Sequence, residues 1–187
     1  YSTMGKQARI ILEKKRFQLT IERLGQQIIE NYNDFEDACI IGIQDQGVIL
    51  ADRIYQEIKK NKKKVNIPFG KLDITFYRDD FRRRTSPLEA SKTEIDFLVE
   101  DKRVILVDDV VYTGRTIQAA LAALQHYGRP KSVELLVMID RRFNRHLPIK
   151  ADYKGMVVDA LDEAYVEVAW EGVQGEDRVK LFPSKLK

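Results

Sequence analysis

The chain has 187 residues, of which 44% are hydrophobic and 33% charged, with a formal net charge of +3. That is the length of one domain, 1–187, able to bury its own core. The charge is too small to argue for nucleic acid by itself, and a single cysteine, Cys39, excludes an internal disulfide and a cysteine-rich metal site. No window of about 18 apolar residues suggests a membrane span. The N-terminus lacks a basic-then-apolar signal pattern, and the expected location is cytoplasmic, with "YST" before Met4 read as a remnant of cloning.

In chain order, Phe17, Ile21, Leu24, Ile28 and Ile29 carry helical spacing and predict an amphipathic helix over 17–32. The apolar run "ACIIGI" (38–43) predicts a buried strand that places Cys39 in the core. The turn "QDQG" (44–47) follows, then a helix over 48–60. "KLDITFYR" (71–78) alternates through Leu72, Ile74 and Phe76, which predicts a strand. A long charged stretch, 79–101, is expected to form a flexible lid loop. The runs "KKNKKK" (59–64) and "RRR" (82–84) read first as solvated surface.

The strand "RVILVDD" comes next, then a helix ending at Gly128 before Pro130, and the strand "SVELLVMID" over 132–140. The C-terminal third reads as short β segments: "KGMVVDA", "AYVEVAW" and "DRVKLF". Strands alternating with helices imply an α/β fold with a mostly parallel sheet flanked by helices.

The chemistry concentrates in "VILVDDVVYTGRT" (104–116). Ligands of open parallel sheets sit beyond the carboxyl ends of the strands, and this run delivers Asp108 and Asp109 to that edge. The residues that follow enter a helix whose first-turn N–H groups have no intrahelical partners and suit a phosphate. Gly114 permits close backbone approach, and Thr113 and Thr116 add hydroxyl donors or cap the helix. The two carboxylates would repel a phosphate but accept hydrogen bonds from a diol. Together they describe a receptor for ribose 5-phosphate. The plain alternative is a turn followed by a helix start. A receiver-type acidic pair lacks the phosphate loop, and no G-x-x-x-x-G-K-[ST] motif is present.

This run resembles the phosphoribosyl-pyrophosphate (PRPP) signature of type I phosphoribosyltransferases. "DITFYRDD" (73–80), "YGRP" (127–130) and "LPIKADYKG" (147–155) are similar to segments of one subgroup, the pyrimidine-operon attenuation regulators with uracil phosphoribosyltransferase activity. The likeness runs from about Ile10 to Phe182. It implies the reaction uracil + PRPP → UMP + pyrophosphate, with Mg²⁺ held mainly by PRPP. It implies that Asp108 and Asp109 hold the ribose hydroxyls, and that the amides of Tyr112, Thr113, Gly114, Arg115 and Thr116 cradle the 5-phosphate. Gly47 and Arg78 would lie on the pyrophosphate side, with a surface ion pair the equal alternative for Arg78. A small hood, from about 141 to 187, would cover the base, with Phe143, Met156, Val157 and Val158 as candidate contacts that also read as core or rim. His126 and His146 fall outside the recognisable site.

Two departures stand out. The family's Thr-Arg-Gly turn is here "DQG" (45–47), with Asp45 and Gln46 replacing the hydroxyl and the basic residue. A carboxylate there weakens PRPP binding unless it points away or joins the Mg²⁺ shell. The RNA-binding face is also altered: Arg23 remains in the first helix, and Arg141, Arg142, Arg145 and Lys150 remain later at changed spacing. The resemblance therefore leaves two expectations: an enzyme first, and second a nucleotide-sensing or RNA-binding regulator with little turnover. A homodimer or larger homo-oligomer is expected.

Overall fold

A computed structural model describes residues 8–77, 93–143, 145–161 and 164–183. The first strand, β1 (Arg9–Leu12), leads into helix α1 (Lys14–Tyr32), strand β2 (Ala38–Ile43), helix α2 (Gln46–Asn61) and strand β3 (Phe69–Leu72). Strand β4 (Arg103–Val111), helix α3 (Arg115–Leu124), and strands β5 (Ser132–Arg141) and β6 (Tyr153–Val158) follow. The chain ends in β7 (Tyr165–Ala169), the short helix α4 (Glu171–Gln174) and β8 (Arg178–Phe182).

Five strands form a parallel sheet in the order β3-β2-β4-β5-β6. The predicted α/β architecture is what the chain adopts. Phe17, Ile21, Leu24, Leu50 and Ile54 of α1 and α2 pack with Ile40, Ile105, Val107 and Leu136 on one face. Ile117, Ala120 and Leu124 of α3 pack with Ile41, Leu106 and Val137 on the other. Each fully buried aliphatic side chain contributes about 1.5–3 kcal/mol, which explains why β2, buried at all six positions, reads as an unbroken apolar run. Cys39 is fully buried, and burial pushes its thiol up to about 12.

Three expectations are corrected. The strand foreseen over 71–78 stops at Leu72, because the Asp73 carboxylate accepts from the Thr75 N–H at 3.0 Å and the Thr75 hydroxyl at 2.6 Å. That local turn competes successfully with the alternating pattern. The helix foreseen through 128 ends at Leu124 and tightens into a 3₁₀ turn, Gln125–Tyr127, before Gly128 at φ 116°. Third, β4 runs on through the aspartates to Val111, because β5 keeps pairing as far as Val111↔Asp140.

The C-terminal segments divide. β6 lies in the central sheet, whereas β7 and β8 join β1 in a separate antiparallel sheet, β1-β8-β7. The lid stretch falls mainly outside the described residues, as does Arg78. At its far end Glu94 pairs with Lys71 by an isolated bridge.

Candidate active site

The strand order places the site. From β2 the chain steps outward to β3, then crosses back to β4 and continues the other way through β5 and β6. The carboxyl ends of β2 and β4 therefore flank the switch point where such sheets hold ligands. The loop after β2 carries Gln44, Asp45, Gln46 and Gly47; the end of β4 carries Asp108 and Asp109, followed by residues 112–116.

Asp108 is 7% exposed and Asp109 half-buried. The Asp109 N–H donates to Asp108 Oδ1 and the Val110 N–H to Asp109 Oδ1, each at 2.9 Å. Burial pushes the Asp108 carboxyl well above the usual carboxylate range; the charge of Asp109 and a hydrogen bond between the two carboxyls push it further. Burial raises Asp109 as well. Two acids side by side in a desolvated place hold charge reluctantly, so the pair is poised to accept donors or a cation.

The loop after β4 turns on Gly114, which is buried. Gly114 has φ 92°, a left-handed conformation, and opens α3 as its N-cap residue. A Cβ there would meet Ile149 Cγ1 at 2.9 Å. Glycine is thus required both by conformation and by packing. Thr113 Oγ1 accepts from the Arg115 N–H at 3.3 Å, a local turn and not a cap of the helix N-terminus. The segment before β6 braces the loop: the N–H groups of His146 and Leu147 donate to the Thr113 carbonyl at 2.9 and 3.2 Å. Arg145 donates to the Tyr112 carbonyl at 3.0 Å and pairs with the nearly buried Asp140.

On the other side of the switch point, Gly47 is buried, and a Cβ on it would stand 2.4 Å from the Val107 carbonyl oxygen. The helix start after β2 therefore rests on the strand that carries the aspartates. Asp45 is exposed, Gln46 half-buried, and the Gln44–Asp45 peptide is cis. The Trp170 indole N–H donates to Gln46 Oε1 at 2.5 Å.

The candidate base contacts scatter. Met156 and Val158 pack toward the α1 face and Val157 is half-buried, while Phe143 is 51% exposed beside the Arg142 guanidinium. Two neighbours were missed. His146, read as outside the site, lies against the loop, its Nδ1 3.4 Å from Arg115 Nε. Arg141, read as part of a basic surface, is 6% exposed, with its guanidinium 4.0 Å from the Tyr112 ring. The "ID" before it marked a strand end, but nothing local in "DRRFNR" signalled which arginine turns inward. His126 stacks edge-on with Tyr77, at 5.5 Å between ring centres.

The cations expected on an RNA face are largely engaged within the chain. Arg23 donates to the Lys154 and Gly155 carbonyls, Arg141 to the Leu161 carbonyl, and Arg142 to both oxygens of Asp159. In the 59–64 run, Lys59 and Lys62 likewise donate to the backbone carbonyls of Lys63, Val65 and Asn33.

Residues 7–171 match the model of the phosphoribosyl transferase domain. The chain is 45% identical over 173 residues to the Bifunctional protein PyrR of Endomicrobium trichonymphae, covering 91% of this chain and 96% of the relative. It is 43% identical over 175 residues to the protein of the same name from Clostridium acetobutylicum, covering 92% and 96%. Among solved structures, a hypoxanthine phosphoribosyltransferase from Staphylococcus aureus superposes with a TM-score of 0.68, at 18% identity, covering 96% of this chain and 92% of that one. The Trypanosoma cruzi hypoxanthine phosphoribosyltransferase gives 0.67 at 16% identity, covering 95% and 97%. At such identities the structures speak to fold alone. No helix among the described residues is long and apolar enough to cross a membrane.

Proposed function

The chain belongs to the type I phosphoribosyltransferases, in the PyrR-like group, and from that premise we propose that it transfers the phosphoribosyl group of PRPP to uracil, giving UMP and pyrophosphate. The observation that carries the reading is the desolvated Asp108–Asp109 pair at the switch point, followed directly by the left-handed Gly114 loop. Diol acceptors beside the first-turn amides of α3 suit ribose 5-phosphate.

In this reading Asp108 and Asp109 accept from the 2′- and 3′-hydroxyls, and the amides of Tyr112 to Thr116 receive the 5′-phosphate. As the bond from the anomeric carbon to the pyrophosphate oxygen breaks, positive charge spreads over the ribose ring. The carboxylates stabilise that charge in a low-dielectric setting where they need no reorganisation. Uracil N1 then forms the new bond, and its proton passes to the departing pyrophosphate. In this reading the loop after β2, with Gly47, receives the departing pyrophosphate.

Among the described residues no group of three or more His, Cys, Asp or Glu side chains is gathered at metal-binding distances. The site fits Mg²⁺ that arrives with PRPP, its oxygen ligands coming largely from the substrate, with Asp108 and Asp109 as hard oxygen donors. When bound, the ion neutralises charge on the departing pyrophosphate.

The second reading is a regulator that senses nucleotide with little turnover. It is favoured by Asp45, which stands where the family's turn has a hydroxyl residue. Specific RNA binding is the weaker part of that reading, because Arg23, Arg141 and Arg142 are engaged internally and phosphate contacts dominate nucleic-acid affinity. Incubation with PRPP, Mg²⁺ and each free base separates the two. The enzyme forms nucleotide with uracil in preference to the other bases; binding of UMP with no product from any base would leave only the sensor.

A further inference from the structure

Gln46, the residue that replaces the family's arginine in the turn after β2, is held by a residue 124 positions away, through the 2.5 Å bond from the Trp170 indole N–H to Gln46 Oε1. An indole nitrogen can only donate, so the contact fixes which way the Gln46 amide lies. Its oxygen faces Trp170, and the Nε2 amide is left as the polar end with hydrogens to give. The replaced arginine is thereby answered by a neutral donor of fixed orientation.

Trp170 is itself held. It is 1% exposed, meets Phe17 edge-to-face at 5.2 Å, and lies under the Arg53 guanidinium at 6.0 Å. Arg53 forks onto both oxygens of Asp177, each at 3.0 Å, and Asp177 is 0% exposed. Asp177 also accepts from the Glu171 N–H at 2.9 Å. Positions 46 and 53 are seven apart on α2, two helical turns, and so share one face. One segment, 170–177, thus grips α2 at two places on that face. The first turn of the same helix rests on Val107 and Asp108 through Gly47.

We propose that Trp170 is a positioning residue for the pyrophosphate side of the site: through its indole N–H it holds Gln46 as a hydrogen-bond donor toward the pyrophosphate group of PRPP. This rests on the reading that the site takes PRPP. The role is selective, because UMP occupies the ribose-phosphate side and lacks pyrophosphate.

The test uses the full chain and dissociation constants for PRPP, Mg-pyrophosphate and UMP, measured by calorimetry. Trp170→Phe keeps a ring against Phe17 while removing the donor and part of the indole volume; Gln46→Met keeps length and removes the amide. Each is expected to weaken PRPP and Mg-pyrophosphate about three- to tenfold, the worth of one hydrogen bond. UMP affinity is expected to be unchanged, which also shows that each variant is folded. The double variant is expected to lose no more than the larger single loss, since both changes break one contact. Equal weakening of UMP and PRPP, no weakening of PRPP, additive losses, or a wild type that binds neither PRPP nor Mg-pyrophosphate would each overturn the proposal. Absence of turnover in a wild type that binds these ligands would instead count against the reaction, because the constants are read without it.

Discussion

Gly47 and Val107 touch backbone to backbone: a methyl group on Gly47 would stand 2.4 Å from the Val107 carbonyl oxygen and 3.0 Å from the Asp108 Cα. The obstacle is main chain in the middle of a parallel sheet, so it has no flexible end to swing aside. Gly47→Ala should push α2 away from β4, costing about 1–3 kcal/mol as overpacking does. Because the aspartates sit at the contact, kcat/KM for PRPP should fall about 10²-fold, the scale of a displacement of about 1 Å. Urea unfolding and steady-state kinetics on the same preparation check both.

Asp108 presents a conflict between stability and function. Its carboxyl is raised by burial and by Asp109, so across the interval from the unfolded value, about 3.9, up to its folded value, the native state binds more protons than the unfolded one. Stability therefore falls as pH rises through that interval. Asp108→Asn removes the buried charge and should raise stability at neutral pH by about 0.5–2 kcal/mol. It should also flatten the decline and lower kcat about 10²-fold or more. Thermal melts from pH 4 to pH 8 compare the two proteins.

The diol reading separates two ligands that differ by one oxygen. UMP should bind about tenfold or more tightly than its 2′-deoxy analogue, since a site built to receive a hydroxyl leaves its acceptors unpaired without one. In Asp109→Asn that preference should shrink. Affinity for UMP should also weaken as pH falls through the raised carboxyl values, because the protonated pair accepts less. Calorimetry at several pH values reads all three.

Arg53 and Asp177 carry the C-terminal segment. Asp177 is wholly buried. Burial alone would raise its carboxyl, but the Arg53 fork and the Glu171 N–H hold it below the usual range. Its stabilising share is present above the unfolded carboxylate value and lost as pH falls through the depressed one. Arg53→Met leaves that charge unpaired and should cost about 3 kcal/mol, whereas the joint replacement with Asp177→Asn should cost less than Arg53→Met alone. Denaturant midpoints of the wild type and the two variants settle the comparison.

The sequence discloses what local chemistry controls. β2, β4 and β5 are short apolar runs bounded by polar turns, and Gly114 stands where the chain takes a left-handed conformation on entering α3. The overturned strand over 71–78 is also a local matter, since the Asp73 side chain offers the backbone a turn that periodicity does not register. What stayed hidden depends on distant pairing. Nothing in "RIIL" says that β1 joins β8 at the other end of the chain. Nothing in "QDQG" points to Trp170. Arg141 reads as surface because burial of a guanidinium over Tyr112 is decided by the path of the chain after β5.

In the proposed function, the Asp108–Asp109 pair and the Gly114 loop hold PRPP for transfer to uracil. Wild-type protein mixed with PRPP, Mg²⁺ and uracil, with UMP and pyrophosphate followed together, provides the decisive measurement. The two products should appear in equal amounts, with no product above background from the variant carrying both Asp108→Asn and Asp109→Asn. Equal rates from the wild type and that variant, or no product from a wild type that binds UMP, would contradict the proposed function.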